Sequence, residues 1–121
     1  MYKRVLVLGG TGFLGKRLQI LEPEWIYSGS DHCDLLDKNQ CRNYFQKISP
    51  DAIVNLAGRV GGIKENTFKQ GEFFYENIVM NTNVINEAKN VGIKRVLSAL
   101  STCSFPDMLS TYPFAEANIL D

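Results

Sequence analysis

An α/β fold built on a parallel sheet is what this sequence predicts, and three observations predict it. Four short apolar runs alternate with three amphipathic stretches along the chain. The first of them, Val5-Leu6-Val7-Leu8, is continuously apolar, as befits a strand covered on both faces. Four glycines then fall within Gly9-Gly10-Thr11-Gly12-Phe13-Leu14-Gly15, where a strand has to turn sharply into a helix.

Each element follows in order. After the glycines, Leu14, Leu18 and Leu21 recur at helical spacing until Pro23 ends the run. Trp25-Ile26-Tyr27 reads as the second strand, closing in the turn-rich Ser28-Gly29-Ser30-Asp31. Asp37 is placed to cap a helix whose Cys41, Tyr44, Phe45 and Ile48 share one face. Ser49-Pro50-Asp51 stops that helix, and residues 52–57 read as the third strand, followed by a loop over 58–63. A long helix is expected from Phe73 to Val91, stopped by Gly92. Residues 94–100 read as the fourth strand, which delivers Ser101-Thr102-Cys103 at its carboxyl end.

Composition bounds the rest. The chain has 121 residues, 45% of them apolar and 21% charged, which suits one compact soluble unit. Thirteen basic side chains balance thirteen acidic ones, so no net charge draws it to nucleic acid or an anionic membrane. No run approaches the ~20 apolar residues of a membrane span, and a strand opening the chain leaves no cleavable leader. Three cysteines, Cys33, Cys41 and Cys103, are too few for a disulfide framework or a thiolate metal site, and reduced thiols in the cytoplasm account for them. With His32 as the single histidine, no metal site is expected.

Strand–glycine turn–helix is the setting in which Gly10-x-Gly12-x-x-Gly15 acts as a dinucleotide fingerprint, so the fold is read as Rossmann-type. Gly9-x-x-Gly12-x-x-Gly15 fits the short-chain dehydrogenase spacing at the same place. Right-handed crossovers wound in sequence give the strand order 3-2-1-4, an incomplete doubly wound sheet. In that order strands 1 and 4 are neighbours, and the glycine loop meets Ser101 and Cys103 in the crevice between them.

The candidate cofactor residues are Gly9, Gly12, Phe13, Leu14 and Gly15 around the pyrophosphate, with Ser28, Ser30, Asp34 and Leu35 on the adenosine side and Leu56, Ala57 and Gly58 at the end of the third strand. No acid stands at the tip of the second strand to hold a ribose 2′-hydroxyl, whereas Ser28 and Ser30 suit a 2′-phosphate, which tips the choice to NADP. Asp34 either faces the adenine edge or belongs to a turn. Ser101 and Cys103 offer a hydroxyl that can donate to a carbonyl and a thiol that can remove an adjacent proton. The plain alternative is a backbone-bonded serine and a buried cysteine. Asn77 and Asn81, at i and i+4, are expected to brace the loop after the third strand or the cofactor side of the sheet. Phe68, Phe73, Phe74 and Tyr75 read as core or interface.

Several stretches together resemble the GDP-L-fucose synthase family of extended short-chain dehydrogenases. They are the glycine loop, Asp34-Leu-Leu-Asp37, residues 50–57, Val60-Gly-Gly-Ile63 with Asn66, Asn77 with Asn83, Leu100-Ser-Thr-Cys-Ser-Phe-Pro106, and Tyr112-Pro113 with Glu116. The resemblance implies an enzyme that epimerises GDP-4-keto-6-deoxy-mannose at C3 and C5 and then reduces C4 with NADPH. It implies that Ser101 bonds the C4 oxygen and that Cys103 is the epimerisation base. The alternatives are another sugar-nucleotide epimerase or dehydratase, or a non-enzymatic dinucleotide-binding module.

One part of the family pattern is absent from these residues. Four positions after Tyr2, Tyr27, Tyr44, Tyr75 and Tyr112 stand Leu6, Asp31, Ile48, Val79 and Glu116, so no Tyr-x-x-x-Lys pair occurs. The expectation is that residues 1–121 are the N-terminal part of a dinucleotide-binding domain, without a substrate domain and inactive alone. An open sheet edge in such a piece invites a homodimer.

Overall fold

The computed structural model describes residues 2–101, 104–106, 112, 113 and 115–117. The elements run β1 (Val5–Leu8), α1 (Phe13–Leu21), β2 (Ile26–Ser28), α2 (Lys38–Ile48), β3 (Ala52–Asn55), α3 (Ile63–Phe68), α4 (Gln70–Asn90) and β4 (Val96–Ser98). All strand pairings are parallel, with Leu6 opposite both Ile26 and Ile53, and Ile53 opposite Val96. The α/β parallel sheet is the one expected.

Its order is not. The strands lie β2-β1-β3-β4 rather than 3-2-1-4. The cause is the course taken after β2. The chain turns at once, Gly29 O accepting from the N–H groups of His32 and Cys33, and Asp34 O then accepts from Asp37 N–H. Residues 29–37 are taken up in turns that lead into α2, which carries the chain back across β1 to β3. Winding therefore reverses at β1. Right-handed crossovers put α1 on one face of the sheet and α2 with α4 on the other. Strands β1 and β4 are not neighbours, and the switch point lies between β1 and β3.

The core belongs to the α2–α4 face. Leu6 and Leu8 of β1 and Ile53 of β3 pack with Cys41 and Phe45 of α2, Val84 and Ala88 of α4, and Cys33 and Leu35 of the turn segment. Asp37 caps α2, its carboxylate accepting from the N–H groups of Asn39 at 2.8 Å and Gln40 at 3.2 Å. The same pair of bonds, Gln40 first, holds its carboxyl below the usual range. Ser49, in the left-handed region, ends α2 by donating its N–H to Phe45 O. Beneath the core, the buried Glu87 carboxylate takes a 2.6 Å bond from Arg42 Nε and further bonds from Asn86 and Asn90. Among the described residues no buried side-chain oxygen or nitrogen lacks a partner.

The opposite face is sparser. Leu14 and Leu21 keep the helical spacing read from the sequence yet are mostly exposed, and Leu97 of β4 is 64% exposed. Helix α3 is an addition to the expected elements. Residues 63–68 carry no apolar stripe that periodicity detects, and none of them is buried. Phe73 is buried, while Phe68, Phe74 and Tyr75 are exposed. No described helix is long and apolar enough to cross a membrane.

Candidate functional site

A cavity of about 480 Å³ opens at the carboxyl ends of β1 and β3, where the winding reverses. That is the place at which open parallel sheets hold ligands, and the volume falls within the range of small-molecule sites. Three strand ends build its wall: Leu8 and Gly9 after β1, Ser28 to Ser30 after β2, and Leu56 to Arg59 after β3. The segment from Cys33 to Leu36 closes one side, and Glu76 and Met80 of α4 close another.

The glycine turn is shaped by two close approaches. Gly9 has a φ of 75°, and a Cβ there would stand 2.7 Å from the backbone nitrogen of Ala57, so the turn lies directly against the β3 loop. A Cβ on Gly15 would stand 2.5 Å from Cα and O of Gly10, so α1 rests on the turn without a side chain between them. Both positions exclude any larger residue. Gly12 enters α1 with no capping side chain, which leaves the N–H groups of the first helical turn free of intrahelical partners.

The loop after β3 is held by asparagines. Asn55, buried at the end of β3, accepts from Ala57 N–H and donates to Asn81 Oδ1 at 3.0 Å. Asn81 donates to Asn77 O, and Asn77 clasps Arg59 at both backbone groups, each at 2.8 Å. The bracing expected of Asn77 and Asn81 is therefore made, and to the β3 loop. Arg59 turns its guanidinium to Glu76, with Glu72 at 3.9 Å and the Phe73 ring 5.2 Å away. Hydrogen bonding to Glu76 holds its pKa above the usual arginine value.

The adenosine-side segment is fixed equally firmly. Asn83 of α4 donates to the carbonyls of Leu35 at 2.8 Å and Leu36 at 3.1 Å. Asp34 lines the cavity and also accepts from Leu36 N–H at 2.9 Å, so its carboxylate is engaged in a turn. Ser28 is buried with its hydroxyl 3.5 Å from Val7 O, whereas Ser30 is exposed at the rim. His32 pairs with Asp31 at 2.8 Å in an exposed turn.

Of the residues singled out from the sequence, the cavity brings together Gly9, Gly12, Ser28, Ser30, Asp34, Leu35, Leu56, Ala57 and Gly58. Phe13 and Leu14 are exposed and are not among the residues of that wall, and Gly15 lies buried beneath the turn. Ser101 follows β4, which β3 separates from β1, and it is not on the cavity wall. The crevice expected between neighbouring strands 1 and 4 is thus corrected to one between β1 and β3. Cys103 lies outside the described residues.

Sequence reasoning passed over Asn55, whose signal was a polar residue inside a buried apolar run. It also passed over Arg59, Glu76 and Met80 as wall residues, which only the packing of α4 against the loop brings there. Among the described residues no cluster of three or more potential metal ligands occurs.

Residues 5–119 match the NAD dependent epimerase/dehydratase family. The chain is 40% identical over 124 residues to a GDP-L-fucose synthase of Dictyostelium discoideum, covering 97% of this chain and 38% of that protein. A probable GDP-L-fucose synthase of Drosophila melanogaster is 36% identical with the same coverage. The crystal structure of a GDP-L-fucose synthetase from Naegleria fowleri bound to NADP superposes with a TM-score of 0.82 at 34% identity, covering 97% of this chain and 39% of that one. The chain thus spans about two fifths of the length of these relatives.

Proposed function

The chain belongs to the NAD dependent epimerase/dehydratase family, and from that premise we propose that it is the NADPH-binding leading portion of a GDP-L-fucose synthase-type enzyme acting on GDP-4-keto-6-deoxy-mannose. The observation that carries the proposal is the glycine turn pressed against Ala57 at the β1–β3 switch point, with the 33–36 segment as its side wall.

The residues fit such a cofactor. A cradle that a Cβ would fill brings the main chain close to a pyrophosphate, and the uncapped start of α1 offers it N–H donors. Leu35 and Leu36 supply apolar walls for an adenine ring, and Ser30 at the open rim suits a 2′-phosphate. Arg59, the basic side chain on the described wall, is already neutralised by Glu76 and positions the loop rather than a phosphate. The bound cofactor supplies a hydride for the C4 ketone.

Ser101 serves to donate a hydrogen bond to the C4 oxygen, which favours both enolate formation and reduction. Cys103 serves to remove the protons that this carbonyl acidifies. These 121 residues contain no Tyr-x-x-x-Lys pair to protonate the reduced oxygen, so we expect no turnover from them alone. A homodimer, formed across the open β4 edge, and a cytoplasmic setting complete the reading.

Titration of the chain with NADPH and NADH tests it. NADPH is expected to bind more tightly, and Ser30→Ala to narrow that preference by roughly threefold while leaving the fold intact, as expected from the loss of one hydrogen bond. Equal affinities, or a preference for NADH, overturn the NADP assignment. Binding of neither nucleotide overturns the reading of the cavity.

A further inference from the structure

The turn after β2 carries a titratable pair beside two residues of the cavity wall. His32, the single histidine of the chain, follows Gly29 and Ser30, which line the cavity. Its ring is held from two directions: Nδ1 lies 3.3 Å from the Gly29 backbone nitrogen and 2.8 Å from Asp31 Oδ1. The turn is closed by Gly29 O, which accepts from the N–H groups of His32 and Cys33. It also rests on the glycine loop, since a Cβ on Gly29 would stand 2.7 Å from the Thr11 side chain.

The two contacts make opposite demands on one nitrogen. To accept from Gly29 N–H, Nδ1 needs a bare lone pair; to bond the Asp31 carboxylate, it needs a proton. A protonated ring carries a hydrogen on both nitrogens, so it serves Asp31 and releases the Gly29 N–H. Protonation therefore does two things next to Ser30. It frees a main-chain donor on the cavity wall, and it cancels the Asp31 charge. Among the described residues, Asp31 is the charged group in contact with the ring. Thr11, from the glycine loop packed against the turn, is uncharged. In the following segment, the Asp34 carboxylate is engaged by Leu36 N–H, and that of Asp37 by the N–H groups of Asn39 and Gln40.

We propose that His32 is a specificity-determining residue of the cofactor site, whose protonation readies the turn over residues 29–32 for the 2′-phosphate of NADP. The inference rests on the dinucleotide reading of the cavity. With a neutral ring, the turn meets an arriving phosphate with an uncancelled carboxylate and an occupied Gly29 N–H. With an imidazolium it offers a neutral pair and a free donor beside the Ser30 hydroxyl. Histidine is the side chain that makes this change between about pH 5 and 8. NADP is thus favoured over NAD as pH falls. Because the linkage is reciprocal, a bound 2′-phosphate in turn holds the proton on His32.

The test follows the whole 121-residue chain by NMR between about pH 6 and 8, a range in which its one histidine titrates alone among the imidazoles. In the free chain, the Gly29 amide resonance is expected to move along the same pH curve as the His32 ring resonance. Saturating NADP+ is expected to displace that curve to higher pH, and NAD+ to leave it in place. Calorimetry supplies the affinities. From about pH 8 to about pH 6, NADP+ binding to the parent is expected to tighten by roughly threefold relative to His32→Gln, as befits one hydrogen bond gained. Comparison with the variant cancels the titration of the phosphate itself. Asp31→Asn, which removes the opposing charge at every pH, is expected to tighten NADP+ but not NAD+ at the alkaline end. A Gly29 amide indifferent to the His32 titration, a curve that NAD+ displaces as far as NADP+ does, or a tightening that survives in His32→Gln overturns the proposal and leaves the cavity reading standing. Binding of neither nucleotide at any pH overturns both.

Discussion

The two faces of the sheet are built to different standards. On the α2–α4 side, Leu6, Leu8 and Ile53 meet a layer in which Phe45, Cys41, Val84 and Ala88 are wholly buried. On the other side, Leu14, Ile20 and Leu21 of α1 and Leu97 of β4 stand more than half exposed, and Val54 is half-buried. The cavity draws its firm parts from the finished side: Asn77, Asn81 and Asn83 all reach it from α4. From the α1 side it takes the glycine turn, shaped by backbone contact rather than by side-chain packing. Site geometry and stability are therefore concentrated in one layer.

The sharpest way to break this contrast is to remove one large side chain from each layer. Phe45→Ala empties the centre of the finished side and is expected to cost about 3–5 kcal/mol. Leu21→Ala, at a position 67% exposed, is expected to stay within about 0.5 kcal/mol of the parent. Urea titrations of the two variants measure the difference. Similar losses would mean that α1 contributes to the core as fully as α2 does.

A smaller effect is expected where the finished layer reaches the site. Asn77→Ala frees both backbone groups of Arg59 and the carbonyl side of the loop after β3. The loss of bonds in a partly buried setting is expected to cost about 1–3 kcal/mol, and to weaken NADPH binding through the displaced Ala57–Gly58 wall. Unchanged binding with lowered stability would show that the clasp serves the fold alone.

How far the sequence reached follows the same division. The α2 stripe, the Asp37 cap and the glycine turn were legible because each is local: a period, a capping residue, a φ that glycine accepts. The asparagine pair was legible because a polar residue on a core stripe must bond something. Strand order was not, since the turn signals in residues 28–31 do not state on which side of β1 the chain goes on to add its next strand. The order depends on which side of β1 the chain returns, and α2 packing on α4 decides that. The exposure of Leu14 and Leu21 escaped notice for a related reason. Spacing reports which residues share a face, whereas burial needs a partner layer.

The last expected difference is electrostatic and confined to acid. Hydrogen bonding from Arg42, and then from Asn90 and Asn86, holds the Glu87 carboxyl below its usual value of 4.5, against an opposing push from burial. Above that value the carboxylate is ionised in both the folded and unfolded chain, and its whole contribution to stability is present. As pH falls through 4.5 the unfolded chain binds the proton first, so stability drops with pH. The drop continues until the folded carboxylate is protonated too. In Glu87→Gln this proton linkage is gone, so stability is expected to be lower than the parent's between neutrality and pH 4.5 and to change less steeply with pH below it. Parallel stability curves for parent and variant across the acid range would show that Arg42 and Glu87 hold the finished layer by shape and not by charge.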